Sequence, residues 1–114
     1  MVAPKQGDIV LVDLEPTKGS EQAGKRPILI ISQDLHNQKQ KMIFACPITN
    51  TSRSYPTHIA INGRCNNTDG FIMCEQLKAI DYEKRGARLI DRASDELLAE
   101  VLEIIDLIIW GDNG

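Results

Sequence analysis

Apolar residues fall in short, dense runs separated by polar turns, and the runs change character once, near the end of the chain. Asp8 to Leu14 is almost continuously apolar (Ile9, Val10, Leu11, Val12) and is bounded by Gly7 and Pro16, which predicts a strand buried on both faces. Pro27 to Ser32 and Met42 to Thr49 repeat the pattern. Proline has no N–H to give a ladder, so Pro47 predicts an edge or a bulge at the end of the third run. Thr57 to Ile61 sets Ile59 and Ile61 on one face and ends at the turn dipeptide Asn62-Gly63, and Phe71 to Leu77 follows Asp69-Gly70. From Asp95 to Ile109 the period becomes helical, with Leu97, Leu98, Val101, Leu102, Ile105, Ile108 and Ile109 recurring at three- and four-residue steps. Ser94 is placed to cap this helix and Gly111 to stop it. Ile104 and Leu107 widen the stripe beyond one narrow face, enough for part of it to pack on a second subunit.

Five short strands and a terminal helix predict a mainly β fold: a small, strongly bent sheet or partly closed barrel with a C-terminal α-helix alongside. At 114 residues the chain has material for one core, so residues 1–114 are expected to form one domain. The longest apolar segment is broken by Glu100, Glu103 and Asp106, which excludes a membrane-spanning helix there. The first eight residues contain no apolar stretch of the secretory type, so cytoplasmic residence is the expectation.

Charge and cysteines narrow the chemistry. Cys46, Cys65 and Cys74 are odd in number and show no C-x-x-C spacing, which argues against a disulfide framework and a zinc site; Cys46 and Cys74 read as buried small hydrophobes. His36 and His58 stand in no metal-binding motif, so neither a metal nor a cofactor is signalled. The net charge of −3 conceals an asymmetry: residues 1 to 64 carry eight Lys/Arg against five Asp/Glu, and residues 65 to 114 carry five against eleven. The basic first half suits a polyanion and is equally compatible with ordinary solvated surface.

Polar residues gather at strand ends. A long polar loop, Thr17 to Gly24, leads into Arg26-Pro27; Pro47-Ile48-Thr49 ends a strand on a hydroxyl; Glu75-Gln76 interrupts an apolar run. The order D-x-x-P-x-x-G-x-E-Q-x-G-x-R-P from Asp13 to Pro27, then P-I-T at Pro47 to Thr49, Y-P-T-H at Tyr55 to His58 and E-Q-x-x-x-I-D from Glu75 to Asp81, resembles the MazF/PemK toxins of bacterial toxin–antitoxin pairs. The resemblance runs from Gly7 to the terminal helix, and its first block is the specific one. It implies an SH3-like barrel, a homodimer, and a metal-independent endoribonuclease that cuts single-stranded RNA, usually mRNA, at a short sequence. It also implies a cognate antitoxin whose acidic, flexible segment occupies the RNA groove.

Attack of a ribose 2′-OH on the adjacent phosphate requires a base, a cation for the developing phosphorane charge, and an acid for the departing 5′-oxygen. Arg26 offers a permanent planar donor fork, its structural alternative being a pair with Asp13 or Glu15. Thr49 can donate to a phosphoryl oxygen or serve as a plain β-branched strand residue. Glu21 and Glu75 are the carboxylates available as base, and Glu75 in its apolar run either works there or sits in an ion pair. Gln22 and Gln76 can read base edges, with Lys25 and Ser52 as further RNA contacts. His58 is open to three readings: proton donor, stacking partner for a base, or a strand histidine exposed at the rim. Phe44 and Phe71 are expected in the core. In one branch of the resembled family an Arg-x-Asp pair supplies acid and base; here Met73 and Glu75 hold those positions, which favours the branch relying on Arg26 and Thr49. A competing reading is a non-enzymatic toxin that binds DNA gyrase, as CcdB toxins do, through the terminal helix with its Trp110.

Overall fold

The computed structural model describes residues 2–13, 24–51 and 55–111. Its strands are β1 (Asp8–Asp13), β2 (Lys25–Ile30), β3 (Met42–Thr49), β4 (His58–Ala60), β5 (Phe71–Met73), β6 (Lys78–Asp81) and β7 (Arg88–Arg92). A short helix α1 (Asp34–Lys39) links β2 to β3, a single 3-10 turn (Cys74–Gln76) follows β5, and α2 (Asp95–Trp110) closes the order. The sheet is antiparallel and open, in the order β4-β5-β3-β2-β1-β7, with β6 on β3 beside that path.

The mainly β sheet with its C-terminal helix is as expected, but two strands and α1 are additional. β6 and β7 escape a search for apolar runs because Lys78-Ala79-Ile80-Asp81 and Arg88-Leu89-Ile90-Asp91-Arg92 alternate with charge; their partners β3 and β1 supply the ladder. The predicted run Phe71–Leu77 is not one strand. It leaves the ladder after Met73 and winds into the 3-10 turn, so Glu75 stands on a turn.

Both faces of β1 and β2 are buried, which accounts for their unbroken apolar sequence. Successive side chains point to opposite faces, and two cores result. Ile9 and Leu29 join Ile48, Ile72, Leu97 and Val101 beneath α2. Val10, Val12, Ile28 and Ile30 join Ile43, Ile80 and Tyr82 inside the bend made by β6. Each fully buried aliphatic chain contributes about 2 kcal/mol through burial. Phe44 is an exception to expectation: it is 41% exposed, because its position in β3 faces outward from the β6 side, where it packs on His36 at 5.6 Å.

α2 begins and ends where its caps require. The Ser94 side chain accepts from the Leu97 N–H, and Gly111, at φ 73°, returns its N–H to the Leu107 carbonyl. The buried positions Leu97, Val101 and Ile105 lie one helical turn apart, while Leu107, Ile108, Ile109 and Trp110 are exposed. No helix among the described residues is long and apolar enough to cross a membrane.

β3 organises the site. Its first half pairs with β6 (Met42↔Asp81 to Ala45↔Lys78), its middle with β2 (Ile30↔Ala45 to Ile28↔Pro47), and its end with β5 (Ile48↔Ile72, Thr49↔Phe71). Pro47 is therefore neither at an edge nor in a bulge. It lies between the β6 and β5 ladders, where one missing N–H is tolerated.

Candidate active site

Strand register gathers the polar strand ends. Ile28 pairs with Pro47, and continuing that antiparallel register by two residues puts Arg26 opposite Thr49. Thr49 pairs in turn with Phe71, and Met73 with His58. Directly paired residues share a face, as do residues two apart on one strand, so the row Arg26–Thr49–Phe71 and the neighbouring row Met73–His58 lie on one face of β2, β3, β5 and β4. Thr49, Thr51, Tyr55, His58, Met73, Glu75 and Gln76 line a cavity of about 410 Å³ on that face.

Thr49 is held in a defined orientation. Its Oγ1 accepts from the Thr51 N–H at 3.1 Å, which leaves the hydroxyl proton free to donate outward. Gly70, at φ 117°, lies against its carbonyl; a Cβ on Gly70 would overlap the Thr49 carbonyl oxygen and come within 3.2 Å of the carbonyl carbon. Only glycine lets β5 start this close to Thr49.

Glu75 is clamped through both carboxylate oxygens. The Thr57 hydroxyl donates to Oε1 at 2.7 Å, and His58 Nε2 lies 2.9 Å from Oε2. Burial alone would raise its pKa, but these bonds and its own backbone N–H outweigh burial, and the carboxyl is held below its ordinary range. His58 is not the rim-exposed histidine of the sequence reading. Its side chain is 6% exposed, folded beneath Tyr55 in an edge-on contact at 4.8 Å. Its Nδ1 is buried and has no hydrogen-bond partner among the described residues.

Arg26 and Lys25 are exposed at the start of β2, and among the described residues Arg26 makes no ion pair. The alternative pairing with Asp13 is not formed: Lys25, not Arg26, stands opposite Asp13. The structure thus brings Thr49, His58, Glu75 and Gln76 into one cavity with Arg26 one strand away. Glu21, Gln22 and Ser52, together with Glu15, lie outside the described residues. Thr57 and Thr51 were missed by the sequence reading, since their roles are single hydrogen bonds to a carboxylate 18 residues away and to a neighbouring hydroxyl.

Other polar features are structural. A larger concavity of about 570 Å³ lies between the N-terminal segment, β1 and β7, but its charged pair Asp8 and Arg92 is engaged internally at 2.8 Å. Burial pushes the Cys46 and Cys74 thiols up to about 12 and Cys65 to about 11, so none is a thiolate nucleophile at neutral pH. Among the described residues no three His, Cys, Asp or Glu side chains converge as a metal site would require.

Residues 5–109 match the model of the PemK-like, MazF-like toxin of type II toxin–antitoxin systems. The chain is similar to the endoribonuclease toxin MazF of Escherichia coli K12, 36% identical over 106 residues that cover 93% of this chain and 94% of that one. It is similar to Escherichia coli endoribonuclease PemK, 32% identical over 108 residues, covering 92% and 81%. In structure it superposes on MazF of Deinococcus radiodurans with a TM-score of 0.82 at 26% identity, covering 95% and 97% of the two chains. Extent, identity and fold agree, and the chain belongs to the PemK-like, MazF-like family of type II toxins.

Proposed function

We propose that this chain is a metal-independent endoribonuclease toxin that cuts single-stranded mRNA at a short sequence. The observation that carries the reading is Thr49: its Oγ1 accepts from the Thr51 N–H, which leaves the hydroxyl proton to donate, and an ionised Glu75 shares its cavity, with Arg26 across from it when the β2–β3 register is extended by two residues. In the reaction the ribose 2′-oxygen forms a bond to phosphorus as the bond from phosphorus to the 5′-oxygen breaks. Glu75 takes the 2′-OH proton, Arg26 neutralises charge on the phosphorane, and Thr49 donates to a non-bridging oxygen. The 5′-oxygen leaves with a proton taken from a water molecule and Glu75 gives its proton back to solvent, giving 2′,3′-cyclic phosphate and 5′-OH ends. Gln76 and Lys25, with Glu21, Gln22 and Ser52, are the proposed RNA contacts, and His58 bears on the RNA from beside Glu75.

Family membership brings an antitoxin as partner, whose acidic flexible segment would compete with RNA for the basic side of the row. Residues 1–114 act as one domain, and a homodimer would cover the exposed apolar end of α2. A toxin of mRNA acts in the cytoplasm. The gyrase-binding reading is not favoured, since the relatives are named endoribonucleases.

Digestion of a long single-stranded RNA in excess EDTA should give discrete fragments ending in cyclic phosphate. Cleavage lost in EDTA and restored by Mg²⁺ would overturn the metal-independent reaction. Arg26→Ala should slow cleavage roughly 10²-fold or more with binding retained, the scale of one lost transition-state donor.

A further inference from the structure

The ring nitrogen Nδ1 of His58 is the polar atom that the reaction above leaves unused. It is buried with no hydrogen-bond partner among the described residues, on a side chain that is 6% exposed. Buried polar groups are nearly always paired, so the ring is held by its other contacts: Tyr55 edge-on at 4.8 Å, and Glu75 Oε2 at 2.9 Å from Nε2. A carboxylate only accepts, so the proton on this bond belongs to Nε2. With Nε2 donating, Nδ1 is left with a bare lone pair, which is tolerated more readily than an orphaned N–H.

Glu75 stands on a single 3-10 turn. A glutamate there has three side-chain torsions to lose, and one hydrogen bond leaves it free to swing about the bonded oxygen. Two donors on two different oxygens remove that freedom. Thr57 precedes β4 and His58 opens it, so both donors come from the start of the strand that pairs with β5 just before the turn and the residue leading into it.

We infer that His58 is a positioning residue that acts on RNA through Glu75: with Thr57 it clamps the two carboxylate oxygens, leaving their remaining lone pairs to meet a ribose hydroxyl in the Thr49 cavity. The inference rests on the RNA-cleaving reading. It requires an N–H donor at Nε2, not the imidazole as an acid, base or stacking surface. It also makes the ionisation of Glu75 depend on His58. Among the described residues, Cys74 on its own turn and Cys46 on β3 are thiols held near 12, and Glu100 on α2, which packs against that turn, is bound by Arg64 at 2.7 Å.

The test is a double-mutant cycle with rescue, using the full chain and a single-turnover RNA cleavage assay across a pH series, with folding checked by thermal melts. His58→Phe keeps the ring against Tyr55 and removes the donor; it should lower kcat about tenfold or more, the scale of a misplaced group, with little change in KM. The acidic limb of its pH profile should move to higher pH. His58→Gln restores a neutral donor and should recover most of the rate and the limb. In a Glu75→Gln background, His58→Phe should cost nothing further. Full additivity in that cycle, or a folded His58→Gln as slow as His58→Phe, overturns the inference. If the wild-type protein cuts no RNA, the reaction falls on its own, and a ¹³C-observed titration of Glu75 decides the clamp. A midpoint that rises in His58→Phe and returns in His58→Gln supports it, and an unmoved midpoint refutes it.

Discussion

Replacing Gly70 by alanine should damage stability and cleavage together. Gly70 holds φ 117°, outside the pocket that other residues visit, so a side chain there costs about 1–3 kcal/mol in backbone strain. The added Cβ also meets backbone, the carbonyl of Thr49, which cannot rotate aside as a flexible side chain would. Relieving the overlap means moving β5 or the end of β3, and the total loss should reach about 3 kcal/mol or more, a large part of a marginal stability. Gly63→Ala is the matched control: φ is 80°, nothing lies within 4 Å of its Cβ, and only strain of about 1–2 kcal/mol is expected. Urea denaturation of both variants isolates the contact as the difference between them. Cleavage adds a second axis, since a shift of about 1 Å in the Thr49 hydroxyl should cost roughly 10²-fold in rate for Gly70→Ala and little for Gly63→Ala. Equal destabilisation by the two substitutions, with cleavage intact in both, would refute the claim that Gly70 sets the position of Thr49.

Three further outcomes are expected. Burial raises the pKa of Asp91, but hydrogen bonds from the Asn67 N–H, the Thr68 hydroxyl and the Arg92 and Asn66 N–H groups outweigh it and hold the carboxyl low. Its stabilisation is therefore complete above the unfolded value of about 3.9 and is lost as pH falls through the folded value. Asp91→Asn should lower stability at pH 7 and flatten the acid limb of the stability profile, so urea melts that stay parallel to wild type between pH 7 and pH 3 would contradict this. Ser94→Ala removes the cap of α2 and should cost about 1 kcal/mol in chemical denaturation. Native Cys46 and Cys74 should resist alkylation at pH 8 until the protein is unfolded, and rapid labelling of either would show the burial to be wrong.

What could be read from the sequence followed from how each element is stabilised. β1, β2 and the second half of β3 bury both faces, and α2 carries its own caps and a one-turn spacing of buried residues, so all leave a local signature. β6 and β7 take stability from neighbours distant in sequence, and a run such as Arg88-Leu89-Ile90-Asp91-Arg92 gives no local reason to prefer a strand. The same division holds in the site. Arg26, Thr49 and Glu75 stood out as polar residues closing apolar runs. The clamp on Glu75 was invisible because it depends on the chain leaving β5 after Met73, and on donors from β4 across 17 and 18 residues. Phe44 misled for the converse reason: it is apolar in an apolar run, yet outside both cores.

The division of β3 among three partners bears on when such a toxin becomes dangerous to the cell that makes it. Thr49 is placed by β5 and Gly70, Glu75 by β4, and the core beneath them is completed by Leu97 and Val101 of α2. Most of these pairings join residues far apart in sequence, and such contacts form late and together. A chain still emerging from the ribosome without α2 therefore lacks the support that holds the cavity in shape. On the RNA-cleaving reading, a nascent chain released before Asp95 should cut no RNA, and the nuclease should become active only once α2 has been made and packed.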